Sequence, residues 1–385
     1  MNAAPVKRIT FVFSSLHFGG AERVALNLAT ALKAKGYDVH FALMDASGEF
    51  LDRAAADFTV VDLRCDRTWK LPGKLARYIL RYQPSAVIAS FWKLNICLAT
   101  ARIVSPSTAI GLWEHSSPQV EGNSPTWLFA PTATILYRLA TCVITVSHTV
   151  ARDIAARSIG LRGRIVTIDN AIPAPRLTRA LPCEHSGLVD LVWVGRFSEV
   201  KNPALMIEAF ARLPDRGAGY RLRLVGDGPL RADLEAQVAR LDLAERVVFM
   251  GFQADPYPLV AAADLLVLSS MTEGLPTVAI EAMYLGVNVV STDCGSGVRD
   301  IVAEGKLGTI VPNHDADALA RGIVARLAAR IDAATLKAAA ARYDPHSIAD
   351  QILHALELDD GDTGAPPRIR RRRDTLASDT RHTSP

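Results

Sequence analysis

Strand-like and helix-like stretches alternate along almost the whole chain, and that alternation constrains its fold more than any other feature. Short apolar, β-branched runs at 8–14, 38–44, 58–63, 86–90, 108–113 and 142–147 are separated mostly by helical patterns. A second series follows, with strands at 188–195, 220–226, 246–251, 265–270, 288–292 and 308–312. Its helices fall at 203–213, 229–241, 256–263, 276–286 and 315–330. In the helix pattern at 21–36, Val24, Asn27, Leu28, Ala31 and Leu32 share one face and Gly36 marks the stop. Strands without polar alternation, joined through helices, predict parallel sheets covered on both faces. The expectation is two doubly wound α/β domains. Between them, 164–187 is proline-bearing and shows no helical period, as an interdomain linker would. The predicted boundaries are a first domain at 1–168, a linker at 169–186, a second domain at 187–342, a returning helix at 343–357 and a tail from 358.

Composition agrees with two buried cores, since 385 residues with 49% hydrophobic content exceed one ordinary core. The formal charge of +3 misleads about the folded body. Residues 366–385 hold six arginines and two aspartates, leaving the rest near −1. A nucleic-acid partner is therefore not indicated. The tail is expected to be disordered, its "RIRRRR" either solvated or resting on a membrane surface. Cys65, Cys97, Cys142, Cys183 and Cys294 are scattered and odd in number, which argues for a reducing compartment and against a zinc site. The first residues enter a strand pattern without a signal-peptide layout, and 127–147 reads as a core helix followed by a strand rather than a membrane span.

Ligands in such sheets lie at the carboxyl ends of strands, so the residues at those ends carry the functional reading. Gly19 and Gly20 precede the first helix, where they allow either close approach of a ligand to backbone or a plain tight turn. No G-x-G-x-x-G fingerprint supports a dinucleotide. Glu114 and His115 end a buried strand. The histidine either meets a substrate hydroxyl or transition-state charge or caps local backbone. Arg196 and Lys201 follow the first strand of the second series and could neutralise a diphosphate without metal. Gly226 and Gly228 repeat a glycine turn at the next strand, again suggesting close backbone approach.

The stretch "TEGLPTVAIEAM" is the most informative. Pro276 suits a first helical position, so Gly274, Leu275, Pro276 and Thr277 form the turn that aims free N–H groups into the cleft. Glu281 lies about 7–8 Å up the axis, with no Lys or Arg three or four residues away. Its carboxylate either accepts both hydroxyls of a ribose or is paired across the fold. Glu273 would face whatever is bonded beyond the phosphates. The string at 314–317, "HDAD", reads as a helix cap with first-turn acids rather than a metal site.

"GGAER", "VGRFSEVKN", "VGDGPL", "VVFMGF" and "TEGLPTVAIEAM", in this order, resemble glycosyltransferase family 4 across residues 8–356. The resemblance implies a GT-B fold, two Rossmann-like domains facing across a cleft, and a retaining transfer from a nucleotide sugar with no bound metal or other cofactor. It implies that Arg196 and Lys201 bind the donor diphosphate, Glu281 the ribose and Glu273 the transferred sugar. Gly19 and Gly20 match the loop beside the phosphates, and His115 a histidine near the reacting sugar. The base is expected against backbone near Gly251 and Phe252, with a UDP-sugar favoured over GDP-mannose. Two departures stand out: Asn202 follows the lysine where the family often has glycine, and the linker signature appears as "DNAIP".

For the acceptor, 64–82 holds six cations and one acid among Trp69, Leu71, Leu75, Tyr78 and Ile79. It reads either as a basic amphipathic helix on an anionic membrane or as a core-packed helix with a solvated face. The first suits a lipid-linked or glycan acceptor in surface polysaccharide assembly, at the cytoplasmic face of a membrane. A non-catalytic nucleotide-sugar binder, an epimerase or a phosphorylase are the rival readings.

Overall fold

Parallel pairing joins the strands of both sheets in the computed structural model, which describes residues 7–17, 19–115, 135–158, 160–161, 163–177, 187–217 and 219–358. The first sheet contains β1 (Arg8–Phe13), β2 (Asp38–Leu43), β3 (Thr59–Asp62), β4 (Ala86–Ser90), β5 (Ala109–Glu114), β6 (Cys142–Thr145) and β7 (Ile165–Thr167). The second contains β8 (Val189–Val194), β9 (Tyr220–Val225), β10 (Val247–Gly251), β11 (Leu265–Leu268), β12 (Asn288–Thr292) and β13 (Thr309–Val311). The strand orders are β3-β2-β1-β4-β5-β6-β7 and β10-β9-β8-β11-β12-β13. Each order reverses once, between β1 and β4 and between β8 and β11. These are Rossmann-like sheets, and each has its crevice at the reversal.

The helices between strands are α1 (Gly20–Ala34), α2 (Leu51–Asp57), α3 (Leu71–Tyr82), α4 (Trp92–Ala101) and α5 (His148–Arg157) in the first half. The second half has α6 (Pro203–Ala211), α7 (Arg231–Arg240), α8 (Tyr257–Ala261), α9 (Thr277–Leu285), α10 (Ser296–Ile301), α11 (Ala316–Ala328), α12 (Ala333–Ala340) and α13 (Pro345–Ala355). Every residue of β4, β5, β11 and β12 is buried, as sheets with helices on both faces require. The α1 stripe expected from sequence is buried as a unit, and Gly36 takes φ +87° just past the helix. Asp315 caps α11 by accepting from the Ala318 N–H at 2.8 Å, so the acidic string there is the helix start.

Residues 165–167 add a seventh strand inside the stretch read as a break, and α10 and α12 are helices the sequence pattern did not reveal. All three elements are short, and three to eight residues give periodicity too little to work on. The expected helix within 127–139 lies mostly outside the described residues; within them residues 135–136 are helical and run into a tight turn, Tyr137–Leu139. The tail beyond 358 and residues 178–186 of the linker also lie outside them.

Four contacts tie the halves together around the linker and the returning helix. Asn27 Nδ2, in the buried stripe of α1, donates to the Ala171 carbonyl at 3.1 Å. The Ile172 N–H donates to the Tyr343 carbonyl at 2.9 Å. From there α13 returns to α1, with Lys35 and Asp350 paired at 2.7 Å and Leu356 against Gly111 of the first sheet. Among the described residues, no helix is long and apolar enough to cross a membrane.

Candidate active site

β8 and β11 share register only at Leu191↔Leu265 and Val192↔Leu266. Beyond those pairs the strands diverge, and two loops fill the opening. The loop after β8 carries Arg196 and Lys201, and the loop after β11 carries Glu273. Buried hydroxyls stitch the loops together. Ser269 Oγ accepts from Trp193 Nε1 at 2.9 Å and donates to the Asn202 carbonyl at 2.7 Å. Thr292 Oγ1 donates to the Ser270 carbonyl at 2.7 Å, and the Met271 N–H donates to the Val200 carbonyl at 2.8 Å.

The two cations differ in state. Arg196 is exposed, and its side chain makes no hydrogen bond or ion pair among the described residues. Lys201 Nζ is bonded to Glu273 Oε1, which also accepts from Ser270 Oγ at 2.7 Å. Arg196 is thus unengaged among the described residues, whereas Lys201 already holds a carboxylate. Beside them α9 begins after Pro276, the cap residue rather than the first helical one, and no side chain caps its first turn. Its N–H groups face the loop ends without an internal acceptor side chain.

Glu281, in the second turn of α9, is 3% exposed. Burial pushes its carboxyl above the usual carboxylate range; the Arg23 guanidinium and a hydrogen bond with Tyr257 act in the opposite direction. Arg23, from α1 of the first domain, places Nη2 2.9 Å from Glu281 Oε1 and donates to the Tyr257 hydroxyl. Pairing across the fold, one of the two sequence readings, is thus realised. Yet the angle at Oε1 makes no hydrogen bond, so this buried oxygen has charge compensation without a donated proton.

The opposite wall is close. A Cβ at Gly274 would lie 2.6 Å from the His115 carbonyl oxygen, so only glycine lets the turn pass under the first domain. The His115 ring packs at 4.5 Å from Trp113 and 5.5 Å from Phe91, with Nε2 3.3 Å from Ser90 Oγ. Burial lowers its pKa to about 3. The imidazole is therefore neutral near pH 7; it can exchange hydrogen bonds with a hydroxyl but supplies no positive charge. Phe91, at the end of β4, holds φ +71°, a strained value for a side-chain-bearing residue at the mouth of the cleft. At the start of α1, a Cβ at Gly19 would sit 2.1 Å from Glu22 Oε2, whereas one at Gly20 would meet nothing within 4 Å. Gly19 thus makes room for the protein's own carboxylate.

Comparison with known proteins places this architecture. The family model "Glycosyl transferases group 1" matches residues 186–357, and "Glycosyltransferase Family 4" matches residues 18–176. The chain belongs to glycosyltransferase family 4. Among its relatives is the N-acetylgalactosamine-N,N'-diacetylbacillosaminyl-diphospho-undecaprenol 4-alpha-N-acetylgalactosaminyltransferase of Campylobacter jejuni, 26% identical over 335 residues, which are 83% of this chain and 89% of that protein. Another is the lipopolysaccharide core biosynthesis glycosyltransferase LpsE of Rhizobium meliloti, 27% identical over 80% of this chain and 86% of its own length. Among solved structures, HepE of Anabaena in complex with UDP-glucose superposes with a TM-score of 0.75 at 22% identity, covering 91% of this chain and 99% of that one. The apo galactosyltransferase WaaB of the lipopolysaccharide outer core gives 0.74 at 19% identity, over 91% of this chain and 99% of its own. The fold is GT-B, and the protein is a hexosyltransferase-type enzyme.

Several features of this glycosyltransferase follow from its own packing rather than from ligand contact. Gly226, at φ +144°, would place a Cβ 1.8 Å from the Gly195 carbonyl, and one at Gly228 would lie 2.5 Å from the Phe197 carbonyl. Both glycines let two loops pass each other, a steric need that exists before any ligand is considered. Gly251 needs φ +67° and faces open space, with Phe252 beside it 66% exposed. Asn202, where the family often has glycine, sits in the left-handed region at φ +46° and caps α6 through the Leu205 N–H. Asparagine tolerates that conformation better than most residues, so the departure preserves the backbone.

The basic segment 64–82 of the glycosyltransferase is also resolved. Leu71, Leu75, Tyr78 and Ile79 of α3 are buried in the first-domain core. Its apolar face is therefore not available to a membrane, and what remains outside is cationic, with Trp69 and Leu80 exposed. Sequence reasoning missed Arg23, whose partners Glu281 and Tyr257 lie in the other domain, and Tyr257, which no local pattern joins to Glu281. It also passed over Ser269 and Ser270, whose position just after a buried strand was the available signal.

Proposed function

We propose that this enzyme is a retaining transferase that moves a sugar from a UDP-sugar, rather than GDP-mannose, to a lipid-linked or glycan acceptor without a bound metal. Three features support the reading: the guanidinium of Arg196, unpaired among the described residues; the start of α9 without a side-chain cap; and the buried Glu281 Oε1, which has no aligned hydrogen-bond partner among them. Of these, Glu281 carries the most weight, because its buried Oε1 is charge-compensated by Arg23 without an aligned hydrogen bond and so keeps an acceptor direction for a ligand.

As the bond between sugar and phosphate stretches, negative charge grows on the departing diphosphate. Arg196, Lys201 and the N-terminus of α9 are the positive groups that would meet that charge and lower the barrier. Lys201, already on Glu273, joins the phosphate side to the carboxylate proposed to face the sugar. His115, neutral, orients a sugar hydroxyl from the first domain. Backbone around Gly251 and Phe252 receives the base. Two relatives are named for an undecaprenyl-diphosphate-linked sugar and for lipopolysaccharide core biosynthesis, which favours an acceptor of that class in surface polysaccharide assembly.

A thermal-shift panel of UDP- and GDP-sugars, followed by nucleotide release with and without candidate acceptors, tests the donor. Glu273→Ala should bind the donor and fail to transfer; normal transfer by that variant would remove Glu273 from the chemistry. We place the enzyme at the cytoplasmic face of a membrane through the outer face of α3. Sedimentation with anionic vesicles at low salt should carry the protein down, and loss of Arg77 and Arg81 together should weaken it. Recovery in the supernatant under those conditions would rule out the membrane contact.

A further inference from the structure

Outside the loops proposed to hold the phosphates, Arg23 bridges the two domains. It belongs to the first domain, yet its guanidinium reaches the second, touching both Glu281 and Tyr257. Its position over the Tyr257 ring, 5.9 Å from the centroid, fixes the direction of approach. We propose that Arg23 is a positioning residue for the donor ribose, holding the Glu281 carboxylate as an acceptor so that the diol site is complete only when the two domains face each other closely. This rests on the assignment of Glu281 to the ribose.

The geometry favours positioning over occupation. Arg23 lies 2.9 Å from Oε1 but leaves that oxygen without a hydrogen bond, so the guanidinium neutralises the carboxylate and leaves an acceptor direction open. A buried carboxylate without a counter-charge takes up a proton and becomes half donor, which no longer matches two hydroxyl donors. The groups that face Glu281 are few. Arg23 comes from α1 and Tyr257 from α8, and Asp255 acts on Tyr257. From α12, Lys337 reaches only the far end of α9, where a Cβ at Gly286 would lie 3.3 Å from its Cε. Beside α10, Arg299 is closed on Asp293. With Arg23 removed, no other cation among the described residues pairs with Glu281.

The test is nucleotide affinity by calorimetry between pH 6 and pH 9, using whichever of UDP, GDP and ADP binds the wild type most tightly. Wild type should be nearly flat over that range. Arg23→Gln should bind about tenfold more weakly at the acid end and recover as pH rises, because its Glu281 ionises later. Arg23→Lys, which keeps the charge, should stay within threefold of wild type. Glu281→Gln should be weak at every pH. An Arg23→Gln variant with wild-type affinity, or with a loss independent of pH, overturns the positioning role while leaving the ribose assignment intact. A Glu281→Gln variant that binds as wild type, or the failure of all three nucleotides to bind wild type, removes the ribose assignment and the inference with it.

Discussion

Alanine at Arg196 and alanine at Lys201 should separate catalysis from stability. Arg196 is exposed and unengaged among the described residues, so its removal breaks no contact of the folded chain. Stability should change by less than about 0.5 kcal/mol. Its whole value lies in the charge it offers to the leaving diphosphate, and loss of one such fixed donor raises a barrier by ~2–4 kcal/mol. At 1.36 kcal/mol per decade, that is about 30- to 1000-fold in donor turnover. Lys201 differs because Glu273, whose side chain is 13% exposed, is its partner; the lysine itself is 34% exposed. Solvent screens such a pair, so its loss should cost up to about 1 kcal/mol of stability in addition to the rate effect. For a domain of this size that lowers Tm by about 2–4 °C. The assays are nucleotide release under single-donor conditions and differential scanning fluorimetry of both variants. An Arg196→Ala enzyme within threefold of wild-type turnover would refute the phosphate assignment. An Arg196→Ala variant that melts as early as Lys201→Ala would refute the reading of Arg196 as structurally idle.

Two further perturbations probe the walls of the cleft. His115 has a pKa lowered to about 3, so the unfolded chain binds a proton there between pH 6.5 and 3 that the folded chain refuses. Stability should therefore fall as pH drops below 6.5, by at most about 1.4 kcal/mol per pH unit from this group, and His115→Gln should flatten the melting profile between pH 6.5 and 4.5; an unchanged slope would mean the ring is not desolvated. Gly226→Ala would push a Cβ into the Gly195 carbonyl, 1.8 Å away, at φ +144°. It should lower stability by roughly 2 kcal/mol or more, read from urea unfolding, and an unperturbed variant would return the glycine to a ligand-binding role.

The sequence by itself determined the alternation of strands and helices, because continuous apolar strands and a 3.6-residue helical period are local properties of neighbouring side chains. It also marked the turn entering α9 and the two cations after β8, since their neighbours along the chain give them away. What only the tertiary structure decided is which of these groups meet. Lys201 and Glu273 are 72 residues apart and Arg23 and Glu281 still further, and no local pattern encodes an ion pair across a cleft. Gly226 and Gly228 show the converse: the structure adds a loop-over-loop passage that the motif alone could not reveal, because steric need for a missing Cβ looks the same in sequence whichever atom fills the space. Short elements such as β7 and α10 were hidden for a third reason, being held by their neighbours in space rather than by their own periodicity.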